Sequence, residues 1–131
     1  MPKTQASVTR CSAFTLAYLE CALWSSTDNS RDNGGDPLDD NYGIEDMAQS
    51  CIDSAIEDCD DFVAAHAELI GDQLEQAGHD FWLTRNGHGA GFWDRDPSVY
   101  PKDPRGKVLT AASEVYGSVN LYIGDDGLIY S

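Results

Sequence analysis

Basic residues are what this sequence has least of. Eight Lys and Arg stand against 23 Asp and Glu, giving a formal net charge of −15 at pH 7. Between Arg31 and Arg85 there is no Lys or Arg at all, while 15 Asp and Glu fall from Asp32 to Asp80. Such a field repels phosphate backbones and anionic lipid and attracts basic surfaces, with a reach that shortens as salt rises. Direct contact with DNA or RNA is therefore not expected. Long apolar runs are missing too. No stretch approaches the roughly 18 apolar residues of a membrane span, and the opening Met1-Pro2-Lys3-Thr4-Gln5 lacks the apolar core of a secretory signal. The expectation is a cytoplasmic protein without a membrane partner.

Metal and cofactor signatures are also wanting. Neither HExxH nor a paired CxxC appears, and Gly87, Gly89 and Gly91 open no helix that could hold a phosphate. Asp28, Ser30, Asp32 and Asp39 faintly resemble a calcium loop. Asn33, however, stands where that loop needs glycine, and Asp39 where it needs a bidentate glutamate. No metal and no cofactor are expected. The four cysteines are Cys11, Cys21, Cys51 and Cys59. Cys51 and Cys59 fall on one predicted helix, about 12 Å apart along its axis, too far to bridge. All four read as reduced, mostly buried thiols.

What is present suits one folded domain over residues 1–131. The chain is 41% hydrophobic, too apolar for wholesale disorder despite its charge. Residues 1–10 read as a loose terminus. Ala13, Leu16, Ala17, Leu19, Ala22 and Leu23 have helical spacing through about Trp24. Residues 25–43, rich in Ser, Asp, Asn and Gly, read as a long exposed loop.

From Ile44 to Ala77 apolar residues recur at helical spacing: Ile52, Ala55, Ile56, Cys59, Phe62, Val63, Ile70 and Leu74. One helix over that whole span would be about 51 Å long, longer than the roughly 36 Å breadth of a domain this size, so a break is expected. Ser50 with Asp53 suggests a capping-box start, and Gly78 a stop.

Beyond Gly78 the period reads as two. Phe81 to Arg85, then Asn86-Gly87, then His88 to Asp94 predict a β-hairpin on a type I′ turn. Its register would set Arg85 opposite His88, His79 opposite Asp94, and the Trp82 ring over Gly91. Residues 95–106, with three prolines, read as an irregular connection. A short helix over Val108 to Val115, closed by Gly117, and a second hairpin around Gly124 to Gly127 complete the chain. The expected fold is α+β, in the order α-α-β-β-α-β-β. Helices would pack on one face of a largely antiparallel sheet built from two hairpins.

Three segments, AYLECALWSSTD (17–28), GHDFWLTRNGHGAGFWDR (78–95) and LYIGDDGLIYS (121–131), together resemble small acidic proteins of tailed bacteriophages. The resemblance implies a phage origin, and so the cytoplasm of an infected bacterium. It implies no catalytic residue.

Two constellations are candidates for function. Asp53, Glu57, Asp60, Asp61, Glu68, Asp72 and Glu75 gather on the helix arc opposite the apolar set. Successive carboxylates there lie about 6 Å apart, coarsely like the phosphates of a nucleic acid. A basic host protein, such as a nucleic-acid enzyme blocked by a DNA mimic, is the partner this face suggests. A solvated face with no partner, in an accessory protein without inhibitory role, is the plainer alternative. The second constellation is His79, Arg85, His88 and Asp94 on the expected hairpin. A paired His and carboxylate there could serve a small hydrolase or nuclease, or simply form a cross-strand ion pair. His66, between Phe62 and Ile70 on the apolar arc, reads as a packing residue.

Overall fold

A computed structural model describes residues 12–28, 36–40, 42–87, 90–96 and 98–131. Helix α1, Ala13–Ser25, starts where Ser12 accepts a hydrogen bond from the Thr15 amide at 3.2 Å, satisfying one of the free donors of the first turn. A two-residue antiparallel pair follows, β1 (Thr27–Asp28) with β2 (Asp36–Pro37), closing the base of the 25–43 loop. Residues 29–35 and 41 of that loop, including Ser30, Asp32 and Asn33 of the calcium-like pattern, lie outside the described residues, as do residues 1–10 and Cys11. Single 3₁₀ turns at Leu38–Asp40 and Ile44–Asp46 lead into α2, Gln49–Ile70. Its cap is Ala48, without a side-chain hydrogen bond, so the capping box expected at Ser50 does not form.

The helix instead ends at Gly71, inside the span expected to run from Ser50 to Gly78; its φ is 61°, a backbone conformation that glycine reaches without strain. Helix α3, Leu74–Arg85, then runs straight through the segment read as the first strand of a hairpin. The remaining elements are a 3₁₀ turn at Phe92–Asp94, helix α4 at Lys107–Val115, and an antiparallel pair, β3 (Tyr122–Ile123) with β4 (Ile129–Tyr130). The Ala48 amide donates to the Ile129 carbonyl at 2.8 Å, so β4 is tied to the entrance of α2.

The α+β expectation is therefore overturned. Among the described residues four helices make the body, and the strands form two separate two-residue pairs with no sheet for the helices to cover. The 79–94 hairpin fails for two physical reasons. A type I′ turn needs positive φ at both central residues, yet Asn86 has φ −100° and only Gly87, at 66°, is positive. Asn86-Gly87 instead ends α3: the Asn86 side-chain amide donates to the Trp82 carbonyl at 2.9 Å and the Gly87 amide to the Thr84 carbonyl at 3.2 Å. The second reason is burial. Asp80, Phe81, Trp82, Leu83, Thr84 and Arg85 are all buried, and a helix enclosed on every side shows no polar-to-apolar period in its sequence.

Gly78 is no helix stop. It lies inside α3 where α1 crosses, and a Cβ built there would stand 2.2 Å from the Phe14 carbonyl oxygen. Helix α1 packs chiefly against α3, and this glycine sets how closely they approach. Gly78→Ala is expected to force the two helices apart and cost about 1–3 kcal/mol, read as a lower urea midpoint at unchanged slope. An unshifted midpoint would contradict the close crossing.

The core lies between α1, α2 and α3 and is strongly aromatic. Phe14, Tyr18, Phe62, Phe81, Trp82, Phe92 and Tyr100 are all buried. Phe62 and Phe81 stack with ring centroids 4.3 Å apart, and Tyr18 meets Trp82 edge-on at 5.3 Å, arrangements that add to plain burial. Cys21, Cys51 and Cys59 are free and buried. Burial, helped by the nearby Asp80 carboxylate, pushes the Cys21 thiol up to about 12, and burial raises the other two. All three are held as unreactive thiols at neutral pH.

Candidate functional site

Helix α2 turns its apolar residues inward and its acids outward. Cys51, Ile52, Ala55, Cys59 and Phe62 are buried, while Asp53, Glu57, Asp60, Asp61 and Glu68 are exposed. At the helical repeat of about 100° per residue Asp53, Glu57, Asp60 and Asp61 fall within an arc of about 100°. The expected single rod over 53–75 does not exist. Non-helical dihedrals at His66 (φ −128°, ψ 22°) bend α2 before Glu68, Asp72 stands in the turn after Gly71, and Glu75 is in the first turn of α3. Asp72 and Glu75 are nevertheless both exposed. His66 itself is half-buried, its ring 4.9 Å from that of Phe62.

Two acids of α2 also serve the fold. Asp61 accepts a hydrogen bond from the Tyr116 hydroxyl; burial and this carboxylate both push the tyrosine's pKa up, which keeps the hydroxyl protonated. Asp58, off to the side of the outward arc, pairs with Arg85 at 3.0 Å. Arg85 is the cation that ion-pairs with α2 among the described residues, and its side chain is only 3% exposed. This inner pair lies apart from the outward arc, where Asp53 accepts from the Gln49 side-chain amide at 2.8 Å.

A second concave acidic surface lies beside α1, lined by Glu20, Leu23, Asp39, Tyr42, Ile44 and Glu45. Trp24, next in α1, is 61% exposed.

The hairpin constellation does not assemble as expected. His79 and Arg85 sit on one helix, six residues or about 9 Å apart along its axis. His79 is half-buried, and no ion pair joins it to Asp94. Asp94 instead accepts from the Gly91 amide at 3.0 Å, closing the 3₁₀ turn. His88 lies outside the described residues. Arg85 is consumed structurally: its guanidinium donates to Asp58, to the Tyr18 hydroxyl and to the carbonyls of Tyr116 and Gly117. Trp82 does not cover Gly91 but donates from Nε1 to the Ser25 hydroxyl at 2.7 Å.

Sequence reasoning missed Asp80. It is fully buried, and one oxygen accepts from Arg95 Nε at 2.9 Å, Arg95 Nη2 at 2.7 Å and Gln76 at 3.1 Å. The other oxygen accepts from the Tyr100 hydroxyl at 2.7 Å. Burial, and then the Asp80 charge, push the Tyr100 hydroxyl well above its usual range, so it stays protonated and donates. A signal exists in the chain itself: taken as a helix, the segment places Asp80 among Ala77, Phe81 and Thr84 on the inner side, where a carboxylate demands partners.

Among the described residues, no group of three His, Cys, Asp or Glu side chains is arranged to hold a metal ion, and no helix is long and apolar enough to cross a membrane. Comparison with protein-family models, with curated proteins and with solved structures returned no match.

Proposed function

We propose that this chain is an acidic binding protein that docks the outward carboxylates of α2 onto a basic protein surface, and that it acts in the cytoplasm of a phage-infected bacterium. The observation that carries the reading is the exposure of Asp53, Glu57, Asp60 and Asp61 along one side of α2, with Glu68 exposed beyond the bend at His66. The best-suited partner is a host nucleic-acid enzyme, whose binding groove is already shaped for a line of negative charge. Occupying that groove would block it. The acidic groove of Glu20, Asp39 and Glu45 offers a further place for a basic side chain of the same partner. Hydrolysis through His79, His88 and Asp94 gains no support from this geometry, because the first strand of the hairpin that was to align them is part of helix α3.

The test is capture of basic proteins from a bacterial lysate on the immobilised chain. A triple variant, Glu57→Lys, Asp60→Lys and Glu68→Lys, serves as the control. These three positions are exposed on α2, whereas Asp61 is hydrogen-bonded to Tyr116 and is left unchanged. Retention is expected at low salt and release at high salt, with affinity reduced at least about tenfold in the variant. Equal retention by the variant, or retention indifferent to salt, refutes docking through this face.

A further inference from the structure

The outer side of α4 is apolar, in a chain of net charge −15. Val108 is 51% exposed and Val115 86%, and Ala111 between them is exposed. At the helical repeat these three span an arc of only about 60°, over a rise of about 10 Å. Leu109 and Ser113, on another side, are buried and fix the helix to the core. Lys107 and Glu114, both exposed, lie together along one flank of the apolar stripe. At the start of α4, Gly106 abuts the Phe92–Trp93 peptide, so close that a Cβ would stand 2.4 Å from the Phe92 carbonyl oxygen. Trp93, 50% exposed, is thereby brought to this end of the helix.

This is also where the molecule's charge balances. Residues 93–116 hold Arg95, Lys102, Arg105 and Lys107 against Asp94, Asp96, Asp103 and Glu114, within a chain whose net charge is −15. Two copies meeting by their acidic faces repel. Meeting by this face, they bring together segments in which bases and acids are equal in number, and bury the exposed valines.

We infer that α4 pairs antiparallel with α4 of a second copy across a two-fold axis near Ala111. In an antiparallel helix pair the same flank of each helix meets across the seam. Lys107 then faces Glu114 of the second copy and Glu114 faces its Lys107, while Val108 packs on Val115. A parallel pair would set Lys107 opposite Ala112 and forfeit both contacts. Ala111 at the axis lets the backbones approach. The contact is isologous and closes at two chains. None of the paired residues belongs to the acid arc of α2, and the inference stands or falls independently of what that arc binds.

Sedimentation equilibrium of the full chain, from micromolar to millimolar concentration at physiological ionic strength, tests the inference. The mass is expected to rise towards that of two chains. Val115→Asp is expected to weaken association at least about tenfold, because it sets a carboxylate in the apolar seam; the side chain is so exposed that the monomer's circular dichroism should not change. Lys107→Glu alone is expected to weaken the dimer, and Lys107→Glu with Glu114→Lys to restore it. Both changes complement the helix dipole of α4, so loss of helix cannot mimic the result. The inference is overturned if the chain stays monomeric throughout, including the case in which this face instead captures lipid vesicles or another protein. It is overturned equally if Val115→Asp associates like the parent, or if the double charge exchange fails to recover what the single one lost.

Discussion

Asp80→Ala is expected to destabilise the protein by about 3 kcal/mol, a large fraction of the roughly 5–15 kcal/mol that holds a typical domain together. The carboxylate is fully buried and binds three partners at once: Arg95 through two nitrogens, Tyr100 and Gln76. Removing it leaves a guanidinium without its counter-charge and a buried hydroxyl without its acceptor, and the unmet desolvation of those groups is the larger part of the loss. The effect falls at the lower end of the range for broken buried pairs, because the Arg95 side chain is 29% exposed and recovers some hydration. Asp80 on α3 is also what anchors the 95–106 connection from inside, since Arg95 and Tyr100 both lie in it. Urea unfolding followed by circular dichroism reads the effect. Adding Arg95→Met to Asp80→Ala should return part of the loss, because the orphaned charge is then gone. A midpoint shift below the scatter of surface variants would show that the network does not hold this segment.

Replacing Arg85 by methionine is expected to cost about 3–5 kcal/mol, and replacement by lysine to recover only a minor part. The guanidinium makes four hydrogen bonds: to the Gly117 carbonyl at 2.8 Å, the Tyr116 carbonyl at 2.9 Å, and the Tyr18 hydroxyl and Asp58 at 3.0 Å. It also lies over the rings of Phe81 and Tyr116, at 5.3 and 5.6 Å. One planar fork thus joins α1, α2, α3 and the end of α4. A lysine ammonium is a point charge on a flexible stem; it can hold Asp58 but cannot reach both carbonyls and stack on two rings. Full rescue by lysine would show that charge alone, and not the fork geometry, is what the site requires. Because Arg85 and Asp58 lie away from the exposed arc of α2, the methionine variant should keep its affinity for a basic partner wherever it remains folded. That separates Arg85's structural role from the proposed binding role.

Helix α2 was legible in the sequence because it lies at the surface. Water on one side and core on the other impose the helical period on its residues, so spacing alone separates Ile52, Ala55, Cys59 and Phe62 from Asp53, Glu57, Asp60 and Glu68. Its bend at His66 carries no Pro or Gly to announce it. The same physics explains the failure at α3. Residues 80–85 are enclosed on all sides, so every position selects for burial, no period survives, and a run of aromatics followed by Asn-Gly imitates a strand and its turn. Which conformation that segment takes was settled by α1, which crosses at Gly78, and by the partners waiting for Asp80 and Arg85.

By itself, then, the sequence determined the charge, its confinement to one sign between Arg31 and Arg85, the acidic face of α2 and the helical spacing of α4. These are local properties of composition and spacing. Tertiary structure alone decided that 74–85 is a helix, that Arg85 joins residues 27 to 67 positions away, and that Asp80 is buried against Arg95 and Tyr100. Contacts between residues distant in sequence leave no period in the chain, and it is such contacts that turned the candidate catalytic arginine into part of the core.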